Sequence, residues 1–164
     1  MLATMATPVI ADEDGFAADP RGTWRKLTWD EATTTSKCIG NPITPICAVE
    51  TKTACFDLKR NDLCLRSIQS SDHRVFINDG DDDDLPRWLF WEYRILRVEK
   101  IDPGQRIAVL SEMAHPGDYL VDLRARQCIV ASGECPPDMG PPTTHLVRKF
   151  GEEWRVITWD TPRW

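Results

Sequence analysis

Glu112 and His115 stand close together near the middle of the chain, and an imidazole beside a carboxylate is a familiar arrangement for moving protons. A glutamate enclosed by apolar groups has its pKa raised by desolvation, so it can give or take a proton near neutral pH. Around Glu112 the residues alternate: Ile107, Val109, Ser111 and Met113 share one face of an extended segment, and Ala108, Leu110 and Glu112 share the other. Which face turns inward is open at this level, so Glu112 reads as a pocket acid or as a solvent-facing strand residue. His115 directly precedes Pro116-Gly117, which also makes it an ordinary turn residue. His73 and His145 sit in no spacing that suggests a catalytic triad, and neither is given a role.

Other chemistry-bearing groups are the aromatic residues, the arginines and an acidic run. Seven tryptophans are many for 164 residues; Trp88, Trp91, Trp154 and Trp159 either line a pocket for a flat, greasy ligand or pack as core. Arg94 and Arg97 are placed to pair with acidic groups or to bind an anion. Asp79 and Asp81 to Asp84 resemble the oxygen-rich loops that hold calcium. Leu85, Pro86 and Arg87 follow where such a loop should continue, and the closing glutamate is missing. The run therefore reads as a solvated acidic loop, and neither a metal site nor a cofactor is expected.

Six cysteines, Cys38, Cys47, Cys55, Cys64, Cys128 and Cys135, contain no C-x-x-C pair and no Cys/His quartet at zinc spacing. Disulfides are the expectation. Spacing favours Cys55 with Cys64 and Cys128 with Cys135, which leaves Cys38 for Cys47, with other pairings among the first four still open. Each short loop would add about 2–3 kcal/mol in the chain-entropy description. Met1 to Ala11 is apolar, has no Lys or Arg and ends in Val9-Ile10-Ala11, like the tail of a signal peptide or a frayed terminus. A periplasmic or secreted protein is expected on both counts.

The net charge of -6 and pI near 5.1 argue against nucleic acid, whose binders concentrate Lys and Arg. No stretch approaches the ~20 apolar residues of a membrane span. The length suits one domain. Residues 1–36 read as an irregular lead-in anchored by Trp24 and Trp29, with room for a short helix over Trp29 to Thr34. Thr44-Pro45 is a good cap and first-turn pair, followed by Ile46, Val49, Thr53 and Phe56 at helical steps to about Lys59. Asn61 is placed to end that helix in a left-handed conformation, and Asp62 to cap a second, shorter one bearing Leu63, Leu65 and Ile68.

Beyond a loop from Ser70 to Pro86, with a brief strand at Val75 to Ile77, the period changes. Trp88 to Ile101 alternates through Leu89, Trp91, Tyr93 and Ile95 and then slips toward Leu96 and Val98, as at a bulge. Pro103-Gly104 and Pro116-Gly117 mark turns on either side of a strand over Ile107 to Met113. Tyr119 to Ile129, Thr144 to Phe150 and Trp154 to Trp159 complete an antiparallel meander, the last two around Gly151-Glu152. Helices followed by a meander predict an α+β fold.

The segment TPICAVETKTACFDLKRNDLCLRSI, Thr44 to Ile68, and the closing GEEWRVITW, Gly151 to Trp159, resemble the nuclear transport factor 2-like superfamily. The resemblance implies N-terminal helices packed on a strongly bent antiparallel sheet of four to six strands, within one domain spanning 37–164. It also implies an apolar pocket drawing on some of Trp91, Tyr93, Glu112, Tyr119, Trp154 and Thr158. The expected function is an exported, non-catalytic module that binds a small apolar ligand or a protein partner, with a homodimer among its expected states. The alternatives are a small-molecule isomerase, cyclase or dehydratase using Glu112 and His115, and a subunit of an envelope or secretion assembly.

Overall fold

The computed structural model describes residues 24–27, 34–36, 38–69, 89–135 and 142–160. The expectations for Met1 to Ala11, the helix beyond Trp29, the strand at Val75 to Ile77, His73, the Asp79 to Asp84 run and Trp88 lie outside them. Two helices, α1 (Pro45–Asp57) and α2 (Asn61–Ser67), come between β1 (Arg25–Leu27) and β2 (Leu89–Lys100). Then follow β3 (Ala108–Val109), β4 (Glu112–Met113), β5 (Tyr119–Ile129), β6 (Thr143–Phe150) and β7 (Glu153–Asp160). The class is α+β, with a five-stranded antiparallel sheet in the order β1-β2-β5-β6-β7 and a separate β3-β4 hairpin.

Helix α1 begins as its sequence dictates. The Thr44 side chain accepts the Cys47 N–H at 3.1 Å and Pro45 occupies the first turn, where its missing N–H is not needed. The turn to α2 is closed by Lys59, at φ 47°, with Arg60 as the residue before α2. The left-handed position thus falls two residues before the Asn61 expected to fill it, and Asn61 starts the second helix. Cys55 and Cys64 are bonded across this corner, Cys38 and Cys47 ahead of it, and Cys128 and Cys135 at the end of β5. All three are the short-range pairs that spacing favours, and they support an exported protein.

The alternation slip in β2 is real: its register against β5 shifts between Ile95 and Arg97, leaving Leu96 as the extra residue. A second shift, between Leu146 and Val147, lets Ile157 bulge from β7. Gly104 and Gly117 adopt φ of 96° and 90° in the two Pro-Gly turns, each closed by a backbone bond back to Asp102 or His115. The expected strand over Ile107 to Met113 is instead a tight hairpin, because Leu110, at φ 54°, reverses the chain in its middle.

Two apolar clusters sandwich the sheet. On the helix side Ala48, Val49, Ala54 and Leu63 meet Tyr93, Ile95, Val121, Val147 and Val156. On the outer side Leu120 and Leu146 are covered by Ile101, Val109 and Ala114 of the hairpin segment. Both sheet edges are occupied in part. Thr35 exchanges bonds with Lys26 beside β1, while Gln69 donates to the Val156 carbonyl and Trp154 to that of Pro42 along β7. Such cover shortens the open edge on which sheets aggregate. Among the described residues, no helix is long and apolar enough to cross a membrane.

Candidate functional site

Helix α1 is buried on every side from Pro45 to Cys55, so its polar residues must find partners inside the protein. Thr51 and Thr53 bond back to the carbonyls of Cys47 and Val49, at 2.7 and 2.8 Å. Glu50 pairs with Arg25 of β1 and accepts the Cys38 N–H at 3.3 Å. Next to it the fully buried Tyr93 donates its hydroxyl to Ser36 at 2.6 Å. Burial, then the Glu50 charge, hold the Tyr93 pKa well above that of an ordinary phenol. This network fastens β1 and the segment after it to the helix, and its acid is committed to Arg25.

Lys52 has a different environment. Its ammonium lies 4.3 Å from the centre of the Trp159 ring and 5.1 Å from that of Phe56, and 3.4 Å from Nε2 of His145 on β6. Ammonium groups offer only donors, so Nε2 accepts and the ring hydrogen sits on Nδ1, which donates to the Val121 carbonyl at 3.2 Å. Burial, and secondarily the Lys52 charge, push the His145 pKa well below its usual value, keeping the ring neutral. Burial likewise lowers Lys52 to about 8, against a smaller upward pull from Asp57. Asp57 is raised by burial to about 7, with Lys52 opposing the shift.

Lys52, Phe56, Asp57, Trp91, His145 and Trp159 line one cleft of about 150 Å³ between the C-terminal half of α1 and the sheet. Trp91 comes from β2 and Trp159 from β7, with β5 and β6 between them, so the two indoles flank the opening from opposite sides. Planar apolar walls with an ammonium and a carboxyl among them suit a small ligand with a polar end.

A larger groove, about 670 Å³, lies at the other end of α1 and includes Thr44, Lys100, His115, Tyr119, Lys149 and Trp154. Tyr119 and Trp154 meet edge to face there, with centroids 5.2 Å apart. Arg148 reaches it too, but is held by the buried Asp118 at 2.8 Å. On the outer face Glu92 lies near Cys128 and Cys135. Both sulfurs there are bonded to each other and Glu92 holds Arg126 at 2.6 Å, an arrangement complete in itself.

The residues expected in one pocket are thus distributed. Trp91 reaches the cleft, Tyr93 is core beside Glu50, and Tyr119, Trp154 and His115 belong to the groove. Thr158 pairs with Leu146 and shares its outer face. Glu112 is exposed on β4, beyond the sheet's outer side. Arg97 pairs with Asp122 and Glu99, while Arg94 and Arg126 stack on Trp24 at 4.8 and 4.1 Å. Lys52 and Asp57 went unread in the sequence. Lys52 falls on the same helical stripe as Val49, Thr53 and Phe56, and a lysine on a buried stripe was the available signal. His145, two residues before the core Val147 on one strand face, was another. No family model matches this chain, and no curated protein or solved structure does so.

Proposed function

We propose that the chain is an exported, non-catalytic module, periplasmic or secreted, of the nuclear transport factor 2-like kind, binding a small planar ligand in the cleft beneath α1. The observation that carries this reading is the cleft itself: Trp91, Trp159 and Phe56 form three aromatic sides around a volume of about 150 Å³. A space of that size admits a benzene-sized ring and falls short of the ~300 Å³ at which drug-sized sites begin. The occupant is therefore a single ring or a molecule of similar bulk. Titration with benzyl alcohol, followed by tryptophan fluorescence, tests the reading. Saturable quenching that disappears in Trp159→Ala is expected, and its absence in the unaltered protein would remove the proposal.

A second reading is a small-molecule isomerase, cyclase or dehydratase. It draws on Asp57, whose raised pKa suits proton transfer near neutral pH, rather than on Glu112. Turnover of a ring ketone that is lost in Asp57→Asn and retained in Glu112→Gln would favour it.

A further inference from the structure

We propose that Lys52 is a nucleophilic amine that captures a small aromatic aldehyde as a reversible imine, with the ring of the ligand between Trp91 and Trp159. The proposal rests on the cleft as the ligand site and adds the chemical class of the ligand.

The placement of Lys52 is hard to explain by packing alone. Lys52 lines the cleft, and its Nζ is held by contacts that do not neutralise it: two aromatic faces and the lone pair of a neutral imidazole. A buried cation in a structural role ordinarily rests against a carboxylate within salt-bridge distance, as the guanidinium groups of Arg25 and Arg148 do against Glu50 and Asp118. Among the described residues, the titratable groups facing Lys52 are Asp57 on its own helix and His145 on β6, and the latter stays neutral. A lysine with a lowered pKa holds a useful fraction of free amine near neutral pH. His145 Nε2 accepts one N–H and so helps to hold Nζ in place.

The chemistry balances without a further reagent. The ammonium passes a proton to the Asp57 carboxylate, directly or through water. The Nζ lone pair then forms a bond to the aldehyde carbon as the C=O π pair moves onto oxygen, which takes up a proton from the now cationic nitrogen. The Asp57 carboxyl protonates the hydroxyl, which leaves as water as the nitrogen lone pair forms the C=N bond, and the nitrogen's remaining hydrogen returns to the Asp57 carboxylate. Amine and aldehyde thus give imine and one water, and the reverse sequence releases the ligand.

The test uses the full, oxidised chain, benzaldehyde, and sodium cyanoborohydride at neutral pH to fix any imine as a benzylamine, followed by peptide mass mapping. Lys52 should carry the benzyl group with roughly tenfold or greater preference over the exposed Lys100 and Lys149, because the cleft holds the bound aldehyde beside it. Lys52→Arg should lose the adduct, while quenching of the unaltered protein by benzyl alcohol reports separately that the cleft binds a ring. Labelling of Lys52 no faster than of Lys100 and Lys149, while benzyl alcohol still binds, would overturn the imine and spare the cleft. Failure of both compounds to bind would overturn both.

Discussion

The Nζ of Lys52 and the Nε2 of His145 meet at 3.4 Å across the helix–sheet interface, one carried by α1 and the other by β6. His145 is almost wholly buried, with 1% of its surface exposed, and its other nitrogen is bound to the Val121 carbonyl. Truncating it removes packing and leaves both the ammonium and a carbonyl without this partner. His145→Ala should lower stability by about 2–4 kcal/mol, and His145→Gln, which can still accept from Lys52, by less. Urea denaturation of both variants measures the difference.

Asp57 gives the cleft a signature in pH. Its pKa is about 7 when folded, against 3.8 for an ordinary aspartate, so between those values the folded protein keeps a proton that the unfolded chain releases. Stability therefore falls as pH rises through that window. Lys52 acts in the opposite sense: folded near 8 and unfolded near 10.5, it lets stability rise with pH between those values. The pair contributes least between pH 7 and 8. Denaturation of the native protein and of Asp57→Asn from pH 4 to 7 should show the native protein losing stability relative to the variant.

Tyr93→Phe removes one hydroxyl from the network that joins β1 to α1. Its bond to Ser36 is 2.6 Å long and partly buried, so the loss should be about 1–2 kcal/mol. Glu50→Gln should cost more, because it leaves the Arg25 charge without its counter-ion. Thermal melts of the two variants rank them.

Leu146→Ala probes the second core. Leu146 is fully buried beneath the β3-β4 hairpin, and its truncation should cost about 2–5 kcal/mol. Hydrogen exchange provides the local readout: the Ala114 N–H, bonded to the Ile107 carbonyl at 2.9 Å, should lose protection before the amides of β5 do.

The legible part of the fold was written in local signals. Thr44-Pro45 marked a helix start, the Pro-Gly pairs marked turns, and the slip after Ile95 marked a bulge, because each depends on a few adjacent residues. Leu110 was not legible as a turn, since a leucine at positive φ goes against its own preference and is held there by the docking of the hairpin. The site was less legible for the same reason. Glu112 and His115 are close in sequence and conspicuous in type, yet β4 leaves Glu112 exposed beyond the outer side of the sheet, and the turn after it puts His115 in the groove at the far end of α1 from the cleft. Lys52 and His145 are brought together only by the packing of α1 on β6, a relationship that no local pattern records.

The three crosslinks join Cys38 to Cys47, Cys55 to Cys64 and Cys128 to Cys135, so two lie before residue 69 and one after residue 89. None of them bridges the helical part to the β2–β7 part. A single backbone cut between those positions would leave two covalently independent fragments, each retaining its own bridges. Without any reductant, they would stay together in native buffer through packing and strand pairing alone and come apart in denaturant.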